Sequence, residues 1–366
     1  MIDAWTWPAY VGIPFGIGFF LLTLVPVVVL QSRRLGRLST ARLIGIAAFS
    51  VYLTTLAFYT LFPLPGPDWC AVHFSPPVQT TPLHSLDEIV DAIDGLSTSQ
   101  AVRHVAVLQV AFNVLLFVPF GLLVRRVFEL GRLLTVVAAF GLSVLIEAIQ
   151  GTGAFGLVGC AYRVADVDDV LTNTLGAVVG VLLAPLVLRW IPHADRLAEQ
   201  RGEPHPVTRR RRLAAMAVDL FIALAVSGVL TIGYRSVAHY VLGHRLPGTD
   251  DWFNQAVPML VGLGCVIVPC LVGTHASWGQ RALWLRPDGP ALGTLVRPWL
   301  GVGGFMVLLV VSVLPPVVGT TASGFYGATA TVLAAVSGLA VILDTSARGL
   351  SFRMTHVRIV DSRSEA

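Results

Sequence analysis

Long apolar segments alternate with short polar segments along the whole chain. A helix that crosses a bilayer needs about 20 mostly apolar residues, with a range of roughly 17–25. Nine windows approach or reach this length, which predicts an all-α fold: a polytopic membrane helical bundle of about nine transmembrane helices. The windows are 10–30, 42–61, 105–124, 132–150, 169–188, 213–233, 256–273, 298–316 and 325–343.

Composition agrees with this pattern and excludes other classes of protein. Charged residues make up 13% of the 366 residues and hydrophobic residues 55%, whereas a typical soluble domain is about 25% charged. A soluble enzyme, a disordered chain and a disulfide-rich secreted scaffold are therefore excluded. The lipid bilayer is the predicted partner, and nucleic acid is not, because the basic residues flank apolar spans instead of forming one patch.

The distribution of arginine predicts the orientation in the membrane. All 25 basic residues are Arg, and cytoplasmic loops of membrane proteins carry the excess of basic residues. If the N-terminus lies outside, 21 of them fall inside. The four outside are Arg103, Arg163, Arg235 and Arg245. We therefore expect the N-terminus outside and the C-terminus inside.

A polar segment divides the chain. Residues 191–212 are rich in charge and proline and lie on the predicted cytoplasmic side, as a linker would. The sequence thus predicts a five-span membrane domain over 1–190, a cytoplasmic linker over 191–212, and a four-span membrane domain with a cytoplasmic tail over 213–366.

The first outer loop, about 62–103, is long enough to hold structure. Ser85 followed by Glu88 is typical of a capping box, and the apolar and acidic residues after it alternate with helical spacing. We expect a short amphipathic helix there. Cys70 and Cys160 fall on the same predicted outer side, so the sequence allows a disulfide between them.

Polar side chains inside spans three to five need an explanation, because they are costly in a bilayer. Five of them, together with Arg163 and Asp166 from the outer loop before span five, form what we call the polar cluster, expected at or near the outer face: Asn113, Glu147, Gln150, Arg163, Asp166, Asp169 and Asn173. In one interpretation, Glu147 and Arg163 form a buried ion pair while the amides satisfy one another. In the other, the cluster binds or transforms a polar headgroup at the outer leaflet.

The same residues form a recognisable motif series. It runs N-x-x-x-F-x-P-x-G from Asn113, E-x-x-Q from Glu147, and R-x-x-D-x-x-D-x-x-x-N-x-x-G from Arg163 to Gly176. This series resembles the VanZ-like family over about 40–190. The resemblance implies a bacterial cell (inner) membrane protein with a cell-envelope role. It also implies lowered sensitivity to glycopeptides of the teicoplanin type, whose targets are cell-wall precursors outside the membrane.

The C-terminal half has its own buried charge. Asp219 lies within the sixth span, two helical turns from Arg212, which is expected to anchor at the interface. Asp219 either stabilises the bundle or serves as an ion or proton site. RRLAAMAVD, ending at Asp219, resembles the opening of the RDD family, and the resemblance extends over about 205–362. Phe352 stands where that family has its second Asp.

These observations leave three functional hypotheses. The leading one is a cell-envelope role through the polar cluster, with a lipid-linked cell-wall precursor or a lipoglycopeptide as partner. The second is a membrane enzyme acting on such a precursor, with Glu147 as general acid or base and Arg163 binding phosphate. The third is a small-solute or ion transporter using Asp219. No sequence motif indicates a named reaction, a cofactor or a metal site.

Overall fold

Long helices make up most of the chain. The computed structural model describes residues 6–66, 68–72, 78–241, 243, 252–312, 320–344 and 349–364. The helices of ten or more residues are α1 Trp7–Leu35, α2 Thr40–Leu61, α3 His84–Ile93, α4 Val105–Val127, α5 Arg132–Gly151, α6 Val167–Val187, α7 Arg209–Ser236, α8 Trp252–Leu271, α10 Ala291–Leu300, α11 Val302–Ser312 and α12 Thr320–Leu343; two shorter ones are α9 Trp278–Ala282 and α13 Leu350–Met354.

The remaining elements are short. A two-stranded antiparallel sheet pairs β1 Leu285–Asp288 with β2 Arg358–Asp361, with Leu285 opposite Asp361. Four further helical segments are Trp69–Val72, Thr98–Ala101, Ala194–Glu199 and a π-helical segment at Val237–Val241 that continues α7.

Seven described helices are long and apolar enough to cross a membrane: α1, α2, α4, α5, α6, α7 and α12. The prediction of an all-α polytopic bundle is confirmed. The window 256–273 falls on α8, which is apolar but shorter within its fully described part, Ala256–Leu271. The window 298–316 is divided between α10 and α11, and 313–319 lies outside the described residues. The count of nine spans and the orientation stay predictions.

The chain folds into two compact units. Unit 1 contains residues 1–24 and 39–196, and unit 2 contains 25–38 and 197–366. The expected linker 191–212 is partly helical, because it contains the short helix Ala194–Glu199 and its last four residues already belong to α7. Thr208 ends the linker proper, since its hydroxyl accepts the Arg211 amide and caps α7.

Unit 1 is built around α4 and α6, whose backbones touch. Gly121, Gly176 and Gly180 lie at the contact, where a Cβ at Gly176 would stand 2.0 Å from the Val114 carbonyl oxygen. Small residues permit this approach between membrane helices. Phe117 is fully buried beside the contact and belongs to the main core cluster of the unit.

Arg42 on α2 connects the end of α4 with the segments that follow α4 and α6. Its guanidinium donates to Glu129 at 2.9 Å, to the Val127 carbonyl at 2.6 Å and to the Pro192 carbonyl at 3.0 Å. In the sequence, Arg42 is one of the 21 arginines that indicate the inner side of the membrane. Its burial shows that it also satisfies backbone carbonyls at the end of α4 and beyond α6.

Ion pairs organise the end of unit 2 near the sheet. Asp361 accepts hydrogen bonds from Arg211 and Arg363 at 2.7 Å each and from the His205 amide at 3.0 Å. Burial opposes ionisation of Asp361, but these hydrogen bonds outweigh it and hold its pKa well below the usual range. Asp344 pairs in the same unit with Arg353.

The outer loop contains the expected short helix, α3, but its predicted capping box is wrong. Leu83 is the N-cap residue and Ser85 lies inside the helix. The Asp168 carboxylate accepts the amides of Leu83 at 2.6 Å and Ser85 at 2.7 Å instead. A disulfide joins Cys70 to Cys160 across 90 residues of sequence.

Candidate functional site

Members of the polar cluster come from α4, α5, α6 and the segment before α6. Asn113 lies on α4, and its amide donates to Asp169 in the first turn of α6 at 2.5 Å. This bond is available because the glycine contact keeps the two helices close. The structure therefore brings the two motif segments that contain Asn113 and Asp169 into direct contact.

Glu147 on α5 reaches the same place from a third helix. Its side chain is 8% exposed, and its Oε2 accepts the Asp166 amide at 3.0 Å. Asp166 caps α6, because its Oδ1 accepts the Asp168 amide at 2.8 Å. The charged groups that act on Glu147 are Asp169, Asp166 and Arg163.

The structure does not support the interpretation in which Glu147 forms an ion pair with Arg163. Both residues lie in the described part of the chain, and they form no salt bridge there. Arg163 Nη1 donates instead to the carbonyls of Thr60 at 3.2 Å and Tyr59 at 3.5 Å. These carbonyls belong to the last turn of α2. Carbonyls in the last turn of a helix have no N–H partner within the helix, and the negative end of the helix dipole favours a cation there.

The amides, which the same interpretation pairs with one another, also have other partners. Gln150 donates to the Thr60 carbonyl at 2.5 Å, and Asn173 donates to the Ser143 hydroxyl at 2.8 Å. The Oδ1 of Asn173 is buried without a hydrogen-bond partner among the described residues. The cluster thus divides into an acidic part around Glu147 and amides that tie neighbouring elements together.

The acidic part is suited to accepting hydrogen bonds. Glu147, Asp166 and Asp169 lie close enough to interact electrostatically, and Arg163 is the one cation among the cluster residues. Burial raises the pKa of Asp166, and the neighbouring Asp168 charge adds to this against the hydrogen bond from the Asp168 amide. Carboxylates in this environment can bind hydroxyl or ammonium groups, or exchange a proton.

Two residues that hold the site in place, Asp168 and Ser143, are not among the residues predicted from the sequence. Asp168 stands inside the third motif and holds the start of α3, while Ser143 lies one turn before Glu147 on α5. The spacing of Ser143 from Glu147 is the signal that could have found it, because residues four apart share a helix face.

In unit 2, Asp219 is held by backbone and side-chain donors. It accepts the Ser277 hydroxyl at 2.6 Å and the Gly279 amide at 2.7 Å. Arg212 is buried with its guanidinium 4.3 Å from the centroid of Phe352. Arg212 thus packs against an aromatic ring within unit 2, and its place at the membrane interface stays a prediction.

The described fold is that of a multi-pass membrane protein with apolar spanning helices. Residues 49–188 match the family model described as VanZ/LLP1. That segment includes the whole polar cluster, so the VanZ-like part of the resemblance is confirmed. No comparison supports the RDD resemblance of the C-terminal half. No curated protein and no solved structure matches the chain.

Proposed function

We propose that the VanZ-like domain serves a bacterial cell-envelope function and lowers sensitivity to glycopeptides of the teicoplanin type. In this proposal the polar cluster faces the outer leaflet and binds the headgroup of a lipid-linked cell-wall precursor or of the lipoglycopeptide itself. The acidic part of the cluster receives hydroxyl or ammonium groups of that headgroup. Glu147 is the central residue.

One observation carries the proposal. Helices α5 and α6 and the segment before α6 bring Glu147, Asp169 and Asp166 together, although carboxylates near one another in a membrane domain are costly. Among the described residues, Arg163 acts on Glu147 without forming a salt bridge with it. Ionisable groups kept in a membrane domain without such a partner are by default functional candidates.

The test is heterologous expression in a glycopeptide-sensitive bacterium. Wild type, Glu147→Gln and Glu203→Gln are compared for teicoplanin minimal inhibitory concentration, with membrane abundance measured by immunoblot. Glu203→Gln is the same substitution at an exposed position in the segment before α7, outside the polar cluster. We expect wild type and Glu203→Gln to raise tolerance, and Glu147→Gln at equal abundance to lose the gain.

The alternatives predict different outcomes. Unchanged tolerance for Glu147→Gln at normal abundance would contradict the proposal, while loss of the protein would favour a structural role for Glu147. The transporter hypothesis predicts that Asp219→Asn abolishes a flux that Glu147→Gln leaves intact. The enzyme hypothesis predicts that Glu147→Gln stops turnover of a lipid-linked precursor in membranes.

A further inference from the structure

A cavity of about 210 Å³ lies within unit 2. It is bounded by α7, α8, α9, α10, α12 and α13, and so lies among helices of the C-terminal half. A cavity for drug-sized ligands typically measures about 300–1,000 Å³. This one therefore suits a small molecule or a headgroup more than a whole lipid.

The charged residues that line the cavity leave it positive. They are Arg212, Arg297 and Asp219. Both arginines are 4% exposed and flank the same aromatic ring, since the guanidinium carbons lie 4.3 Å and 4.6 Å from the Phe352 centroid. Two guanidinium groups against the one carboxylate of Asp219 leave one net positive charge, and Asp219 already accepts hydrogen bonds through both oxygens.

Arg297 carries an unused donor at this cavity. Its Nη2 donates to the His275 carbonyl at 3.0 Å. Its Nε is buried and makes no hydrogen bond of normal geometry within the described chain. The Cys270 side chain, which also lines the cavity, interacts with Arg297, but a thiol sulfur is only a weak acceptor. A buried charged group with an unsatisfied donor is unfavourable, so a site of this kind gains stability from an anion that accepts the bond.

The rest of the lining indicates the type of anion. Ser337 and Ser351 bring hydroxyl groups to the cavity, while Leu220, Ile267 and Val341 contribute apolar side chains to its walls. Phosphate oxygens are strong acceptors that suit guanidinium and hydroxyl donors together. The apolar walls suit a carbon skeleton attached to the phosphate.

We propose that this cavity binds a phosphate ester, with Arg297 and Arg212 contacting the phosphate. Two sources supply that chemistry. One is an anionic phospholipid, since basic pockets between membrane helices on the cytoplasmic side bind such headgroups and α7 begins on the predicted inner side. The other is a free phosphate ester from the cytoplasm.

The test uses the purified full chain in non-ionic detergent after removal of bound lipid. Phosphatidylglycerol and glycerol 3-phosphate are the two probes, and dioleoylglycerol, which has acyl chains but no phosphate, is the control. Binding is followed by the rise in melting temperature and by native mass spectrometry. The variants are Arg297→Gln, Arg297→Lys, Ala334→Phe, which fills the cavity from α12, and Arg358→Gln, an exposed control in β2.

We expect at least one probe to stabilise wild type and Arg358→Gln. Arg297→Gln should bind about tenfold more weakly, because a hydrogen bond to a charged group is lost, and Arg297→Lys should retain part of the affinity. A response to phosphatidylglycerol identifies a lipid, and a response to glycerol 3-phosphate identifies a free ester.

Several results would overturn the proposal. They are stabilisation by neither probe, equal stabilisation by dioleoylglycerol, or wild-type affinity in Arg297→Gln. If Arg297→Gln does not fold, Ala334→Phe decides the question. Wild-type affinity in that variant would overturn the site, and loss of binding would support it.

Discussion

The contact between α4 and α6 leaves no room for a side chain at Gly176. A Cβ there would lie 2.0 Å from the Val114 carbonyl oxygen and 2.9 Å from its carbonyl carbon. Carbon–oxygen contacts normally begin near about 3.3 Å, so Gly176→Ala forces the two backbones apart by roughly 1 Å. Asn113 and Asp169, which bond across the same helix pair, would be separated with them.

The net effect follows from two opposing terms. Overpacking a well-packed site costs about 1–3 kcal/mol, whereas Ala is favoured over Gly in a helix by up to about 1 kcal/mol. We expect Gly176→Ala to lower the free energy of unfolding by about 1–2 kcal/mol. Gly141→Ala on α5 is the matched control, because a Cβ there meets no atom within 4 Å.

The assay is equilibrium unfolding in mixed detergent micelles, followed by intrinsic fluorescence and circular dichroism. Gly141→Ala should be neutral or slightly stabilising, while Gly176→Ala should unfold at a lower fraction of denaturing detergent. If Gly176→Ala is as stable as Gly141→Ala, the backbone contact between α4 and α6 does not exist as described.

Two further predictions concern residues outside the spans. Cys70→Ser should lower stability by about 2–4 kcal/mol, since a long loop is no longer closed; thermal unfolding measures this, and identical wild-type melting with and without reductant would refute it. Asp361→Asn should be destabilising at neutral pH, because it leaves Arg211 buried without its carboxylate. The folded pKa of Asp361 is depressed, so this stabilisation is complete above the unfolded value of about 3.9 and declines as pH falls below it. The stability difference from wild type should therefore shrink in acid, and a pH-independent difference would refute the assignment.

Much of the architecture could be predicted because spanning helices satisfy their own backbone groups and need only a long apolar stretch. The motif spacing also located the cluster, since Asn113, Glu147 and Asp169 do converge. Their partners were not predictable to the same extent. Arg163 and Gln150 donate to backbone carbonyls of α2, and a carbonyl carries no sequence signal.

The sequence pattern also did not predict which arginines are buried. The positive-inside rule counts Arg residues near span ends but does not tell which are buried. Arg42 and Arg297 count equally with exposed arginines in that rule, although both are buried and bonded to carbonyls. Long-range packing decides such cases, as it decided that Asp168 and not Ser85 satisfies the start of α3.

The proposed envelope function requires that the polar cluster faces the outside of the cell. The disulfide provides the most direct test, because Cys160 lies in the same connecting segment as Arg163. In a Cys265→Ser, Cys270→Ser background, intact cells are treated with a membrane-impermeant reductant and then with a membrane-impermeant maleimide. The account predicts that Cys70 and Cys160 are labelled in intact cells. Labelling that appears only after the cells are lysed would contradict it.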